Sequence, residues 1–263
     1  MSQEHKSYLK KLKIRNILVW VFRFGILGLF LGLWEIIAEN NIVDPFIISS
    51  PSRIVKLISE MYASGNLFPH IFTSLYETVL GFVIATCLGT LIAVALWMSK
   101  GLRDVLEPYI ITLNSLPKIA LGPVIIVWLG TGSRSIIFMA VIICIIITII
   151  SMLSGFVGVD KEKIMLLQSM GANKLKILLK LVVPANIPTL ISVLKINVGL
   201  SWIGSIMGEY LSSKQGLGYL LVYGSQVFKL DLVMASTVIL CILAGGMYGL
   251  VAVIEKIVKK HFG

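Results

Sequence analysis

Six apolar runs, each near the length of a membrane-spanning helix, constrain this chain more than any other feature of its sequence. A bilayer core about 30 Å thick needs roughly 20 apolar residues as an α-helix. With 57% hydrophobic and 14% charged residues, a chain of 263 residues is too apolar for a soluble domain. We therefore expect an all-α polytopic membrane protein, a single domain over 1–263. About six transmembrane helices are predicted, at 17–38, 73–98, 108–129, 135–156, 185–208 and 233–254.

The basic residues predict the orientation of these helices. The N-terminal segment 1–16, the loops after the second and fourth runs and the C-terminus hold most of the 23 Lys and Arg, roughly three to one over the alternate loops. This placement accounts for the net charge of +10, and no basic–aromatic pattern indicates a nucleic-acid partner. We expect a protein of the cytoplasmic membrane with both termini in the cytoplasm. No small-residue cleavage site follows the first run, so we expect that helix to be retained.

The loop 160–184 is too polar to span lipid, yet it carries apolar residues at helical spacing. Two short amphipathic helices are predicted, separated at Gly171-Ala172-Asn173, with Pro184 ending the second. Such a pair either lies in the lipid headgroups or docks in a groove of another protein, and a solvated loop is the third possibility. If it docks, the expected contacts are Ile164, Leu167, Gln168, Gly171 and Ala172.

The third apolar run contains two prolines, a glycine and polar residues between positions 114 and 123, so no straight helix can pass through it. Non-helical backbone at membrane depth is tolerated where protein or a water-filled cavity surrounds it. We expect a solute pathway there, lined by Asn114, Ser115, Lys118 and, from the fifth run, Ser201. Alternatively, Lys118 forms an ion pair with Glu77 or Glu209, or extends to the membrane surface.

Three further local patterns carry expectations. Gly204-x-x-x-Gly208 in the fifth run predicts close helix packing, and Lys195 in the same run is expected to extend to the cytoplasmic surface. Ser52 is read as the N-cap of an amphipathic helix on the outer surface.

Several chemistries have no motif in this sequence. A G-x-x-x-x-G-K-[ST] phosphate loop, an H-E-x-x-H zinc motif and a G-x-S-x-G nucleophile motif are all absent, and each of the three cysteines lies alone in an apolar run. We therefore expect that the chain is not an enzyme and carries no cofactor or metal of its own.

The loop 160–184 and several further segments resemble a known protein family. Gly171 is followed by nine residues and then by Leu181-Val182-Val183-Pro184. This segment resembles the cytoplasmic signature E-A-A-x-x-x-G…I-x-L-P of ABC-transporter permease subunits, although Met165-Leu166-Leu167 replaces Glu-Ala-Ala. Further segments resemble the nitrate/sulfonate/taurine branch of binding-protein-dependent importers; they include 49–52, 116–123, 128–132 and 208–218. This chain differs from that branch at Glu77, a position where the branch often has arginine.

This resemblance implies a subunit of an ATP-driven importer. The expected partners are ATPase subunits that carry ATP and Mg²⁺, an extracytoplasmic solute-binding protein and a second permease copy. The helix after residue 160 would couple the ATPase to the membrane bundle. The solute would be small, such as a sulfonate or a vitamin precursor. The alternative is a stand-alone secondary transporter or channel driven by an ion gradient, and a membrane enzyme is the third reading.

Overall fold

The computed structural model describes residues 3–40 and 48–262, and these residues form helices and turns without a strand. Residues 1, 2, 41–47 and 263 lie outside this description, including the first two residues of the predicted segment 1–16. The α-helices of the described residues are α1 Gln3–Glu39, α2 Pro51–Ala63, α3 Leu67–Met98, α4 Lys100–Ser115, α5 Gly122–Leu129, α6 Ser133–Val157, α7 Lys161–Ser169, α8 Lys174–Ile177, α9 Val183–Ala185, α10 Ile187–Ser212, α11 Leu217–Gln226 and α12 Leu230–Phe262.

Five of these helices are long and apolar enough to cross a membrane: α1, α3, α6, α10 and α12. A sixth crossing requires α4 and the segment 118–129 together, and these two pieces are bent by 88°. The predicted all-α fold with about six spans is therefore confirmed. The third run is not one straight helix: α4 starts eight residues earlier than predicted, and the chain bends sharply before α5.

The centre of the bundle is a close packing of α3, α6 and α10. Gly204 and Gly208 on α10 lie directly against the backbone of α6: a Cβ atom on Gly204 would be 2.5 Å from Ala140 Cα, and one on Gly208 would be 2.9 Å from Ile136 Cα. Gly81 on α3 approaches Ala140 from the other side, with its Cβ position 2.5 Å from Ala140 Cβ. The close packing predicted for Gly204-x-x-x-Gly208 is thus confirmed.

The bundle has two ends, which we name the α7 end and the Gly216 end. The α7 end holds α7, α8, the last residues of α3 and α6, and the first residues of α10. The Gly216 end holds α2, the start of α3, the end of α10 and the start of α11, where His70 Nδ1 accepts a hydrogen bond from Gly216 N–H at 3.0 Å.

Helix α1 is joined to the described bundle near the Gly216 end. Trp34 Nε1 donates to the Ser49 carbonyl at 2.6 Å, and the Glu35 carboxylate accepts from Ser52 N–H and Ser52 Oγ at 3.0 and 2.6 Å. The prediction that Ser52 is the N-cap of α2 is wrong. The N-cap is Ser50, whose side chain accepts a hydrogen bond from Arg53 N–H. Every residue of α1 from Ile17 to Leu33 is exposed, as expected for a helix in lipid.

Candidate coupling surface and polar path

The α7 segment is a helix, a tight turn and a second helix, as predicted. The Asp160 side chain caps α7 by accepting from Glu162 N–H at 2.9 Å, and Asn173 caps α8 by accepting from Lys176 N–H at 2.8 Å. Between them Gly171 adopts φ +79°, the left-handed conformation that a glycine reaches without strain. These contacts fix the direction in which α7 leaves the bundle.

The two long faces of α7 have different neighbours. Ile164 and Leu167 pack against the bundle core, in the cluster that contains Phe156 and Ile177, and Ala172 joins the same cluster. The predicted docking contacts Ile164, Leu167 and Ala172 are therefore half-buried against the bundle, and their contact with another protein stays a prediction. Of the five predicted residues, only Gln168 and Gly171 are exposed.

Part of the exposed surface of α7 and of the residue that follows it is apolar, next to the exposed Lys161, Glu162, Lys163 and Gln168. Met165, Leu166 and Met170 are 56%, 62% and 75% exposed, and we call these three side chains the apolar face of α7. Sequence reasoning missed them because it counted only one apolar stripe. The signal was present: a helix of nine residues with apolar side chains at 164, 165, 166 and 167 covers more than one face.

Helix α7 is tied to the bundle by a basic side chain at the turn. Lys174 Nζ donates to the Met98 carbonyl at 2.7 Å, at the end of α3, and lies 5.8 Å from the centre of the Trp97 ring. This carbonyl is one of those that a helix end leaves without an intrahelical partner. A displacement of the turn therefore acts on α3 as well as on α8.

Pro184 does not end the second helix, contrary to the prediction. The chain continues from α8 through a π-helical turn, Leu178–Val182, into α9 and then α10. Pro184 lies in the first turn of α9, where its missing N–H costs little. The break before α10 is stabilised by Asn186, whose Nδ2 donates to the Val182 carbonyl at 2.9 Å. The coupling segment thus leads into a membrane helix with one short interruption.

The break between α4 and α5 forms a polar elbow, which we define as Asn114, Ser115 and Lys118. Lys118 Nζ donates to the Asn114 carbonyl and to Asn114 Oδ1 at 3.1 and 3.4 Å. Pro117 cannot continue the α4 hydrogen-bond ladder, and a short 3₁₀ turn, Lys118–Leu121, follows it. The structure brings these three predicted pathway residues together, and Asn114 and Ser115 are exposed.

The fourth predicted pathway residue, Ser201, has no exposed surface. Its hydroxyl donates to the Val198 carbonyl at 3.0 Å inside the bundle. Lys118 forms no ion pair with Glu77 or Glu209 among the described residues, because both carboxyl groups are buried at the Gly216 end. The pathway hypothesis therefore rests on the elbow alone in this conformation.

One polar contact inside the bundle had no sequence prediction. Asn197 Nδ2 donates to Thr86 Oγ1 at 3.0 Å and to Thr148 Oγ1 at 2.8 Å, so one amide joins α3, α6 and α10. Lys195, which was expected to extend to the cytoplasmic surface, is partly exposed, and its Nζ lies 2.5 Å from Glu255 Oε2 on α12. No group of three or more metal-ligating side chains occurs within the part of the chain that the structure describes.

Comparison with known proteins gives a consistent result. A family model described as "Binding-protein-dependent transport system inner membrane component" matches residues 85–260. The taurine transport system permease protein TauC of Escherichia coli is 24% identical over 225 residues, which cover 84% of this chain and 82% of TauC. The formylaminopyrimidine transport permease protein ThiX of Halalkalibacterium halodurans is 27% identical over 187 residues, covering 71% of this chain and 74% of ThiX.

A further relative and a solved structure extend the comparison. A Bacillus subtilis protein described as an aliphatic sulfonates transport permease, SsuC, is 24% identical over 241 residues, or 92% of this chain and 87% of SsuC. The inward-facing methionine ABC transporter MetNI contains a chain of similar fold, with a TM-score of 0.65 and 20% identity. This similarity covers 73% of this chain and 95% of the MetNI chain.

Proposed function

Because this chain belongs to the family of inner membrane components of binding-protein-dependent transport systems, we propose that it moves a small organic anion through the membrane while separate ATPase subunits supply the energy. Its relatives are permease subunits of ABC importers and not enzymes, so the alternative of a stand-alone carrier has no support. The observation that carries the proposal is the apolar face of α7, which is exposed on a rigidly held helix.

The α7 end of the bundle faces the cytoplasm in this proposal. The loop 160–184, the N-terminal segment and the C-terminus hold most of the basic residues, and such residues accumulate on the cytoplasmic side of membrane proteins. The Gly216 end then faces outward, where a solute-binding protein would deliver its cargo. Both termini lie in the cytoplasm, and ATP and Mg²⁺ bind to the partner subunit.

We place the ATPase contact on the apolar face of α7. A methionine-rich, exposed helix face suits a groove in a partner, because the flexible side chains adapt to its shape. Closure of the ATPase pair would move α7, and the move would pass to α3 through Lys174 and to α10 through the short helices that follow. Ile164 and Leu167 would hold α7 on the bundle so that it moves as a lever.

A second permease copy completes the path in this proposal. Helix α5 is exposed and apolar, with Val127 and Trp128 82% and 74% exposed, and this surface supports packing of a second bundle beside the polar elbow. Two elbows would then face one channel, each with a Lys118 ammonium group. A cationic lining suits a sulfonate, the solute class in the names of SsuC and TauC, while the name of ThiX leaves a vitamin precursor as the alternative.

The test is the substitution Leu166→Asp. A charge on the apolar face should stop ATP-driven uptake and release the ATPase on purification, while the permease stays folded because Leu166 makes no core contact. The matched control Leu166→Met keeps the face apolar and should transport normally. Normal uptake by Leu166→Asp, with the ATPase still bound, would contradict the proposed contact.

A further inference from the structure

Two glutamates are buried beside each other at the Gly216 end. Glu77 on α3 and Glu209 on α10 are each 1% exposed, and the buried contact between the Thr78 and Ser205 hydroxyl groups at 2.5 Å holds the two helices together beside them. The two carboxyl groups lie within hydrogen-bonding reach of each other. Burying an ionised carboxylate is costly unless it is paired and hydrogen-bonded. Burying two of them in contact adds like-charge repulsion, so the pair needs a physical explanation.

Each carboxyl group is only partly satisfied. Glu209 Oε2 accepts from Gly218 N–H at 2.6 Å, in the first turn of α11, where the N–H groups of a helix favour a negative charge. The Ser133 hydroxyl lies beside Glu77, and the Ser74 hydroxyl, which accepts from Leu217 N–H at 2.7 Å, lies beside Glu209. The remaining oxygens, Glu77 Oε2 and Glu209 Oε1, have no hydrogen-bond partner among the described residues.

Neither glutamate forms an ion pair within the part of the chain that the structure describes. The surrounding elements carry many ionisable side chains at this end: Arg53, Lys56, Glu60, Tyr62, His70, Tyr76, Arg134, Tyr210, Lys214, Tyr219, Tyr223, Lys229 and Asp231. Among the described residues none of them forms an ion pair with either glutamate. Arg134 and Lys214 are exposed, and His70 uses its Nδ1 lone pair to accept from Gly216 N–H, which an uncharged ring does.

The packing around Glu209 favours a very small ligand. A Cβ atom on Gly216 would collide with the Glu209 carboxyl group, and one on Gly218 would be 2.8 Å from Glu209 Cβ. Backbone therefore lies directly on this side chain. A cation with a full oxygen shell needs several further ligands at more than 2 Å. A proton can be bound by only two oxygens, and Glu77 Oε2 and Glu209 Oε1 lack any other hydrogen-bond partner among the described residues.

We propose that Glu77 and Glu209 form a proton-binding site, in which one hydrogen lies between Glu77 Oε2 and Glu209 Oε1. Glu77 is the acid that donates this bond, and Glu209 is the carboxylate that accepts from both Glu77 and Gly218. One hydrogen satisfies both orphan oxygens and leaves a single negative charge at the N-terminus of α11. The site joins α3, α10 and α11 where the bundle presents its Gly216 end.

Two substitutions at Glu77 test the site in the purified full-length chain. Glu77→Gln replaces the acid with an isosteric donor and should leave the unfolding equilibrium constant within about threefold of wild type, since the bond to Glu209 is kept. Glu77→Leu removes the donor and leaves a buried carboxylate unpaired, which should raise that constant roughly a hundredfold or more. Glu77→Leu expressing poorly would agree with this expectation, and Glu77→Gln keeps the test decisive.

Infrared spectroscopy detects whether a carboxyl group of the pair is protonated. The wild-type-minus-Glu77→Gln difference spectrum at neutral pH should contain the C=O stretch of a protonated carboxyl group, shifted in D₂O. Absence of that band would overturn the proposal. So would a Glu77→Gln variant as unstable as Glu77→Leu, or wild-type stability that depends on an added monovalent or divalent cation, because each result indicates two ionised carboxylates. Neither readout depends on the transported solute or the ATPase.

Discussion

Substitution of Gly204 by alanine tests how closely the central helices pack. The new Cβ atom would lie 2.5 Å from Ala140 Cα and 3.0 Å from Ala140 N, both of them backbone atoms of α6. Non-bonded carbon atoms prefer a separation of about 3.5–4.0 Å. Since no side-chain rotation can relieve the contact, α10 and α6 must move apart by about 1 Å.

The expected cost follows from two opposing effects. Overpacking of a well-packed interior costs about 1–3 kcal/mol, whereas replacing glycine by alanine within a helix gains up to about 1 kcal/mol. We therefore expect Gly204→Ala to lower the free energy of unfolding by roughly 1–2 kcal/mol. Gly199→Ala on the same helix is the matched control, because no atom lies within 4 Å of its Cβ position. The control should be neutral or slightly stabilising.

The assay is unfolding of the purified chain in mixed micelles, followed by far-ultraviolet circular dichroism as the fraction of denaturing detergent rises. The two variants should differ by about 2 kcal/mol in the free energy of unfolding. Equal stability of Gly204→Ala and Gly199→Ala would refute the reasoning, because it would mean that α10 and α6 are not in backbone contact at Ala140.

Two further substitutions test the interior and the elbow. Asn197→Ala removes the amide that joins Thr86 and Thr148, and should lower the free energy of unfolding by roughly 0.5–2 kcal/mol. The solute concentration that gives half-maximal uptake should not change. A shift in that concentration without a loss of stability would contradict a purely structural role. Lys118→Gln should raise the half-saturating concentration of an anionic solute about tenfold, whereas Lys118→Arg keeps the charge and should change it little; equal uptake by both variants would remove Lys118 from the path.

The sequence predicted most of the architecture because membrane insertion leaves few choices. Apolar runs of spanning length must be helical, and the prolines and glycines of the third run exclude a straight helix. Small residues four apart on α10 predicted the contact with α6 correctly. These features depend on local sequence and on the bilayer, so they can be read without knowledge of tertiary partners.

The candidate site was harder to predict because it depends on which face of a helix meets the bundle. Leu166 and Leu167 are adjacent and equally apolar, yet only Leu167 packs inward, and that choice is made by the residues of α6 and α8 that surround it. Likewise Pro184 suggested a helix end, but a π-helical turn before it lets the chain continue. The pairing of Glu77 with Glu209 joins positions far apart in sequence, which spacing cannot indicate.

Site-specific photo-crosslinking tests the central claim, that the apolar face of α7 contacts the ATPase, most directly. A photoreactive amino acid placed at Leu166 or Met170 in cells that express the whole transporter should give an adduct with the ATPase subunit. The same amino acid at Leu167 should react within the chain, because that position faces the bundle core. Adducts with lipid alone at Leu166 and Met170, or an ATPase adduct formed instead at Gln215 near the Gly216 end, would contradict the account.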